Sequence, residues 1–199
     1  MTIETLDPQG RRRHRQALAA LLVDAVDSGA SIGFLPPLGS DEAAEYWESV
    51  AAAVREGSRL LLIAREDDRP VGTVQLALAM RANGRHRAEV IRLMVHRAAR
   101  RQGIGRALML AVEAEARWLG RTTLVLDTRQ GDPSETLYRT LGWTLAGSIP
   151  RYARSADGAL HTTAVYYKLL EAPSSSSSPP HPDRLPHGGR EEGERARGG

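Results

Sequence analysis

Residues 100–106 read Arg-Arg-Gln-Gly-Ile-Gly-Arg, directly after the apolar run "VIRLMV" and directly before the helical pattern "ALMLAVEAEARWLG". A helix that opens on a glycine turn offers unpaired backbone N–H groups and the positive end of its dipole, which together favour an anion. Gly103 and Gly105 carry no Cβ to hold a phosphate away from the backbone, and Arg100, Arg101 and Arg106 surround the turn with positive charge. The simpler alternative is that one glycine merely ends the loop. Position 108 is leucine, so G-x-G-x-x-G fails, and no G-x-x-x-x-G-K-[ST] is present; neither a dinucleotide fingerprint nor a P-loop describes this turn. What it does fit is R-x-x-G-x-G between a strand and a helix.

The elements that must position this turn alternate along the chain. The 199 residues, 41% of them hydrophobic, suffice for one core, so a single domain is expected over residues 1–171. From residue 172 the sequence "APSSSSSPPHPDRLPHGGREEGERARGG" lacks the large apolar side chains that offset ordering entropy, and residues 172–199 read as a disordered tail. Its Arg184, Arg190, Arg195 and Arg197 are balanced by Asp183, Glu191, Glu192 and Glu194, so it is no basic anchor. Within the body, residues 2–6 suggest a short strand, and residues 9–28 a helix with an arginine-rich first turn. The loop "GASIGFLPPLGS" follows, then a helix "DEAAEYWESVAAAVREG" capped by Ser40 and stopped by Gly57. "RLLLIARE" and "TVQLALAM" make a hairpin whose second strand places Val74, Leu76, Leu78 and Met80 on one face and Thr73, Gln75, Ala77 and Ala79 on the other. "AEVIRLMVH", the glycine-opened helix, "TLVLDT", "SETLYRTLG", a strand from Trp143 and "LHTTAVYYKLL" complete the order β-α-α-β-β-β-α-β-α-β-β. Strands in consecutive runs predict an α+β protein with a mixed sheet. In the glycine-opened helix, Ile104, Ala107, Leu108, Ala111 and Trp118 are expected to face the sheet, with Arg106, Glu113 and Arg117 opposite; Glu115 breaks the apolar side.

Composition excludes several chemistries. Without cysteine there is no disulfide framework, thiolate metal site or cysteine nucleophile, and a reducing, cytoplasmic location is expected. No metal is expected, since the histidines show no ligand spacing. No stretch approaches the roughly 20 apolar residues of a membrane span, and residues 1–15 are too charged for a secretory signal. The formal net charge is +3 with Lys168 the one lysine, and "RRRHR" at residues 11–15 reads as a solvated helix face, so neither nucleic acid nor membrane is expected as a partner.

With Arg100, Gly103 and Gly105 in an R-x-x-G-x-G turn, the chain resembles the GNAT superfamily of N-acetyltransferases, whose signature is [QR]-x-x-G-x-[GA]. "ETLYRTLGW" is similar to the family's downstream A-x-x-x-Y-x-x-x-G-F, with Tyr138 and Gly142 in place and Trp143 in the phenylalanine position. Gly131 stands where many members carry an asparagine beside the pantetheine arm. The resemblance covers roughly residues 60 to 170. It implies a GNAT-like fold with about seven strands and about four helices. It also implies acetyl-CoA as co-substrate, its pyrophosphate held by Arg100, Arg101, Gln102, Gly103, Ile104, Gly105 and Arg106, and its pantetheine by backbone groups of Leu93, Met94 and Val95. A narrower resemblance, to the tabtoxin-resistance acetyltransferases, rests on "GASIGF", "RAEV" followed by "LMV", "LDT", Tyr138 and "DGALHTTAVYYK". It implies a small amino-acid-like amine as acceptor and a part in toxin or antibiotic detoxification.

Acetyl transfer from a thioester to an amine needs a deprotonated amine, a stabilised oxyanion and a proton for the departing thiolate. A phenol of pKa about 10 suits a thiolate whose acid titrates near about 8.5, so Tyr138 is the candidate general acid; the alternative is a tyrosine packed in a helix core. Asp127, at the end of the buried run "TLVL", is a candidate base or amine-binding group, unless it only caps the strand or pairs with Arg129. Glu89 is a second candidate: it lies six residues before Val95, as the catalytic glutamate does in histone-modifying members, and by alternation shares a face with Ile91, Leu93 and Val95. An aminoglycoside or a protein N-terminus as acceptor, or an acetyl-CoA sensor without turnover, are the alternatives. The sequence admits a homodimer without fixing the oligomeric state.

Overall fold

A computed structural model describes residues 1–171, so the expected tail lies outside the described residues. Asp7 accepts a hydrogen bond from the Gly10 N–H at 2.6 Å and opens a short helix, α1 (Pro8–Arg13), after strand β1 (Thr2–Thr5). The single helix expected over residues 9–28 is in fact two. The backbone leaves helical geometry at His14, whose side chain turns inward (6% exposed) while Arg12, Arg13 and Arg15 stay in solvent, and α2 (Arg15–Asp27) begins there. Helix α3 (Ser40–Arg55) starts one residue earlier than its cap was expected to allow. Gly39 is the capping residue, Ser40 is already helical and makes no cap bond, and Asp41 and Glu42 complement the dipole instead.

Strands β2 (Arg59–Glu66), β3 (Arg69–Leu78), β4 (Arg87–Val95), β5 (Thr123–Arg129), β6 (Thr144–Arg154) and β7 (Leu160–Leu169) join β1 in one mixed sheet of order β1-β2-β3-β4-β5-β7-β6. Every pair is antiparallel except β4–β5. Helices α4 (Ile104–Trp118) and α5 (Ser134–Thr140) add side chains to the core on one face, with Leu62, Val74, Val90 and Leu124. Helices α2 and α3 cover the other face through Leu22, Trp47, Val50, Leu61, Ile63 and Met94. Because both faces of β3 are covered, Thr73 and Gln75 are fully buried rather than facing water, and Met80, beyond the strand end, is exposed.

Glu113 departs from the expected pattern of α4. It is 1% exposed, while Trp118 is 47% exposed. Glu113 accepts the indole N–H of Trp143 at 2.9 Å and the ammonium of Lys168 at 2.7 Å, tying α4 to the start of β6 and the end of β7. The Lys168 ammonium also donates to the Leu141 carbonyl at 2.5 Å. Glu115 is accounted for as well, since it accepts the Thr5 hydroxyl at 3.3 Å. Removing one partner of a buried ion pair leaves the other charge uncompensated. Glu113→Ala is therefore expected to destabilise the domain by about 3 kcal/mol, lowering the melting temperature by roughly 6–12 °C in a thermal unfolding scan.

Candidate active site

The sheet opens where β4 and β5 part. Their pairing is confined to Arg87–Thr123, Ala88–Leu124 and Glu89–Val125; beyond that point β4 follows β3 and β5 follows β7. A bulge in β4 accompanies the parting. Thr73 pairs with Met94 and Gln75 with Ile91, so two residues of β4 oppose one of β3, and Arg92 sits in the left-handed region at φ 55°. The extra residue reverses the alternation. Ala88 and Val90 before the bulge, and Leu93 and Val95 after it, all pack on the α4 face, whereas Met94 packs on the α2–α3 face. The expectation that Glu89 shares a face with Leu93 and Val95 is thus overturned, because simple alternation does not survive an inserted residue.

Glu89 lies in register with Val125, so Glu89 and Asp127 belong to the same face of the sheet on either side of the gap. Burial raises the Glu89 pKa above the ordinary glutamate value and the Asp127 charge adds to the shift, while Arg59 and Arg92 oppose it. Asp127 accepts the Thr163 hydroxyl at 2.8 Å. Arg129 pairs with Asp132 at 3.0 Å, and so does not take the role of partner to Asp127 considered from the sequence.

Tyr138 is 6% exposed, its ring 6.3 Å from Trp143 and 6.0 Å from Tyr166. Burial pushes its hydroxyl above the ordinary phenol pKa, and the charges of Asp127 and Asp132 push the same way, against a hydrogen bond with Ser134. Asp127 therefore acts on both Glu89 and Tyr138, and the structure brings all three candidates to one gap. Helix α5 is fixed there by Glu135, 7% exposed. This carboxylate accepts the Tyr166 hydroxyl, the Gly131 N–H at 2.6 Å and Arg139 at 2.9 Å. The Tyr166 bond leads the interactions that lower the Glu135 pKa, followed by the Gly131 N–H, against desolvation. A carboxylate with a lowered folded-state pKa contributes stability that is full above its unfolded value of about 4.3 and is lost as pH falls through the lower folded value. Glu135→Gln is accordingly expected to shrink the loss of melting temperature measured between about pH 5 and about pH 3.

The turn before α4 is built around Gly103, the capping residue, at φ 82°. Ala107 N–H bonds the Gly103 carbonyl at 3.0 Å as the first rung of the helix, which leaves the amides of Ile104, Gly105 and Arg106 unpaired by it. A Cβ on Gly103 would meet nothing within 4 Å, so the space before the helix is open. A Cβ on Gly105 would stand 3.5 Å from Leu137 and 4.0 Å from Leu93 and Val95, so the helix start, α5 and β4 converge. Arg100 Nε donates to the Val95 carbonyl at 3.0 Å and braces the turn; Arg101 and Arg106 are exposed. The Ile104 and Met94 side chains are 2% and 3% exposed in the cores, so neither side chain is presented to a ligand. Gln102 borders a cleft of about 520 Å³ lined by the acidic Glu66, Asp67 and Asp68 together with Arg69 and His96, whereas Gly103 and the free amides open onto the space before the helix. The donor set fits a pyrophosphate. Gly103→Val forces a β-branched residue into left-handed geometry and fills the open space; it is expected to weaken acetyl-CoA binding by about 2 kcal/mol, roughly 30-fold, in calorimetry. Unchanged affinity in the folded variant would remove the turn from the binding site.

The profile of the acetyltransferase (GNAT) family matches residues 15–143, and the chain belongs to that family. It is 32% identical over 125 residues to an uncharacterized N-acetyltransferase in the hisH-hisA intergenic region of Azospirillum brasilense, covering 62% of this chain and 73% of that protein. Its fold is similar to that of a putative acetyltransferase from Salmonella typhimurium solved with its cofactor acetyl-CoA. That likeness has a TM-score of 0.71 and 22% identity over 89% of this chain and 98% of the other. A ribosomal-protein-alanine N-acetyltransferase from Brucella melitensis gives a TM-score of 0.71 and 22% identity over 85% and 100%. The seven-stranded mixed sheet is the GNAT fold expected from the sequence, and the chain is an acetyl-CoA-dependent N-acetyltransferase. Among the described residues no helix is long and apolar enough to cross a membrane.

Sequence reasoning missed Arg92, Phe34, Tyr46, Ser134, Glu135 and Thr163. Arg92 escaped because the bulge has no sequence signature, and Glu135 because its partners lie on a turn and a distant strand.

Proposed function

We propose that the acceptor is the primary amine of a small amino-acid-like molecule and that acetyl transfer to it is direct. The observation that carries this reading is the pair of carboxylates, Glu89 and Asp127, on one face of the gap between β4 and β5, with cationic Arg59 and Arg92 near Glu89. A gap bearing both signs of charge suits a small zwitterion. Bound acetyl-CoA supplies the thioester whose acetyl group is transferred. Arg101, Arg106 and the amides of Gln102, Gly103, Ile104, Gly105 and Arg106 hold its pyrophosphate, Arg100 keeps the turn in shape, and backbone groups of Leu93, Met94 and Val95 orient its pantetheine. Glu89 removes the proton from the acceptor ammonium, and Asp127, held by Thr163, positions that nitrogen. Tyr138 keeps a proton at Oη for the departing sulfur, and its raised pKa ensures that the proton is present at neutral pH.

Among possible acceptors, the tabtoxin-like motifs "GASIGF" and "DGALHTTAVYYK" support detoxification of an amino-acid-like toxin or antibiotic, acting in the cytoplasm on account of the missing cysteines. The domain is residues 1–171, and a homodimer is the assembly we propose. A thiol-release assay with acetyl-CoA tests the reading across amino acids, aminoglycosides and N-terminal peptides. Turnover confined to the amino acids is expected. Turnover confined to either other class, or none with any amine, would overturn it.

A further inference from the structure

Arg92 is the one residue of β4 whose backbone is strained, and its charge acts on Glu89 at the same gap. A non-glycine residue in left-handed geometry is disfavoured, and such outliers persist where the surroundings hold them for a purpose. Here the surroundings are aromatic. The guanidinium carbon lies 5.3 Å from the ring centre of Phe34 and 5.3 Å from that of Tyr46, and the two rings meet edge to face at 5.2 Å. Carbon and ring centres form a nearly equilateral triangle, which fixes the guanidinium in a corner through cation–π attraction. Gly33 completes the corner at φ 82°; a Cβ there would stand 2.9 Å from Nη1 and 3.1 Å from Nη2. Tyr46 is itself held, because its hydroxyl accepts from Gln75 at 2.8 Å and Gln75 accepts from Arg59 at 3.1 Å.

What the corner does not supply is an anion. Other arginines around the site have polar partners: Arg97 pairs with Asp24, Arg129 with Asp132, Arg139 with Glu135, and Arg100 bonds the Val95 carbonyl. Arg92 forms no ion pair among the described residues. Glu89, three positions earlier on the same strand, is near enough for their charges to interact, yet it is no salt-bridge partner. A guanidinium anchored on aromatic rings, with both Nη atoms beside Gly33 and no ion pair to any described residue, keeps the charge and N–H donors that a carboxylate takes.

We infer that Arg92, set by Gly33, Phe34 and Tyr46, is the residue that selects the acceptor, by binding a carboxylate carried close to the amine to be acetylated. This rests on the small-amine reading above. Arg92 takes the carboxylate while Glu89 and Asp127 receive the ammonium, so the acceptor is oriented with its nitrogen toward the parting of β4 and β5. An amine without the carboxylate leaves the fork unpaired and is discriminated against.

The test compares L-α-amino acids with their carboxamides as acceptors for the full-length protein and acetyl-CoA. The wild type is expected to favour the acids by roughly 10- to 100-fold in kcat/KM. In Arg92→Met that ratio should fall to within about threefold, chiefly through KM for the acids. Gly33→Ala, whose Cβ displaces the guanidinium, should move the ratio the same way. A merely structural arginine would lower both rates and preserve the ratio. Equal use of acids and carboxamides by the wild type, or a ratio that survives Arg92→Met in a folded protein, overturns the inference. If neither class is acetylated, the acetyl-transfer reading fails on its own and the anchor is judged by thermal shift in the presence of CoA. Stabilisation by acids over carboxamides that is lost in Arg92→Met upholds the anchor, and no difference between them overturns it.

Discussion

Tyr138→Phe is expected to lower turnover by roughly 10²- to 10⁴-fold while acetyl-CoA affinity changes little. The substitution keeps the ring that packs against Trp143 and Tyr166, so the effect isolates the hydroxyl. That hydroxyl sits beside Ser134 under the combined influence of burial, Asp127 and Asp132, all of which but the Ser134 bond favour the neutral phenol. The phenol is therefore protonated across the neutral range, and because the same shift makes it a weaker acid, its role depends on its position beside the departing thiolate. A tyrosine retained only for packing behaves in the opposite way, with some lost stability and nearly normal turnover. Single-turnover measurements separate the two readings, and a chemical step within about threefold of wild type would remove Tyr138 from proton transfer.

Glu89→Gln is expected to slow the reaction by about 10²-fold and to abolish the acid limb of the pH profile. The sign follows from the site. Burial, reinforced by Asp127, raises the Glu89 pKa, so its basic form is lost on acidification at a higher pH than for an ordinary glutamate. In the wild type, kcat/KM should therefore fall with decreasing pH through a midpoint above about 4.3, and Asp127→Asn, by removing the carboxylate that raises it, should shift that midpoint downward. A limb unchanged in Glu89→Gln would pass the role of base to Asp127, which shares the gap.

The geometry of the turn at residues 100–106 was legible because it is local. Two glycines, a preceding strand and a following helix are all contiguous, and the unpaired amides of a helix start follow from backbone geometry alone. The strands were legible for a similar reason: "RLLLIARE" is an apolar run that fits a strand covered on both faces, and "TLVLDT" places Leu124 and Leu126 on one buried face; β2 and β5 form there. The proximity of Tyr138 to Asp127 was not legible, since it depends on how α5 is seated by Glu135 against Tyr166, 31 residues away along the chain. Nor was the burial of Glu113, which helical periodicity assigns to solvent and which Trp143 and Lys168 draw inward.

By itself the sequence determined the mixed sheet, the glycine-opened helix and the set of residues with chemistry to offer, because these depend on residue type and short-range spacing. The tertiary structure alone decided which way those residues face. One inserted residue in β4 reverses the alternation, strains Arg92 and separates the faces of Glu89 and Leu93. A bulge is stabilised by partners distant along the chain, here Gly33 and Phe34 on the loop before α3 and Tyr46 on α3, so its position is a property of long-range packing that no local pattern encodes.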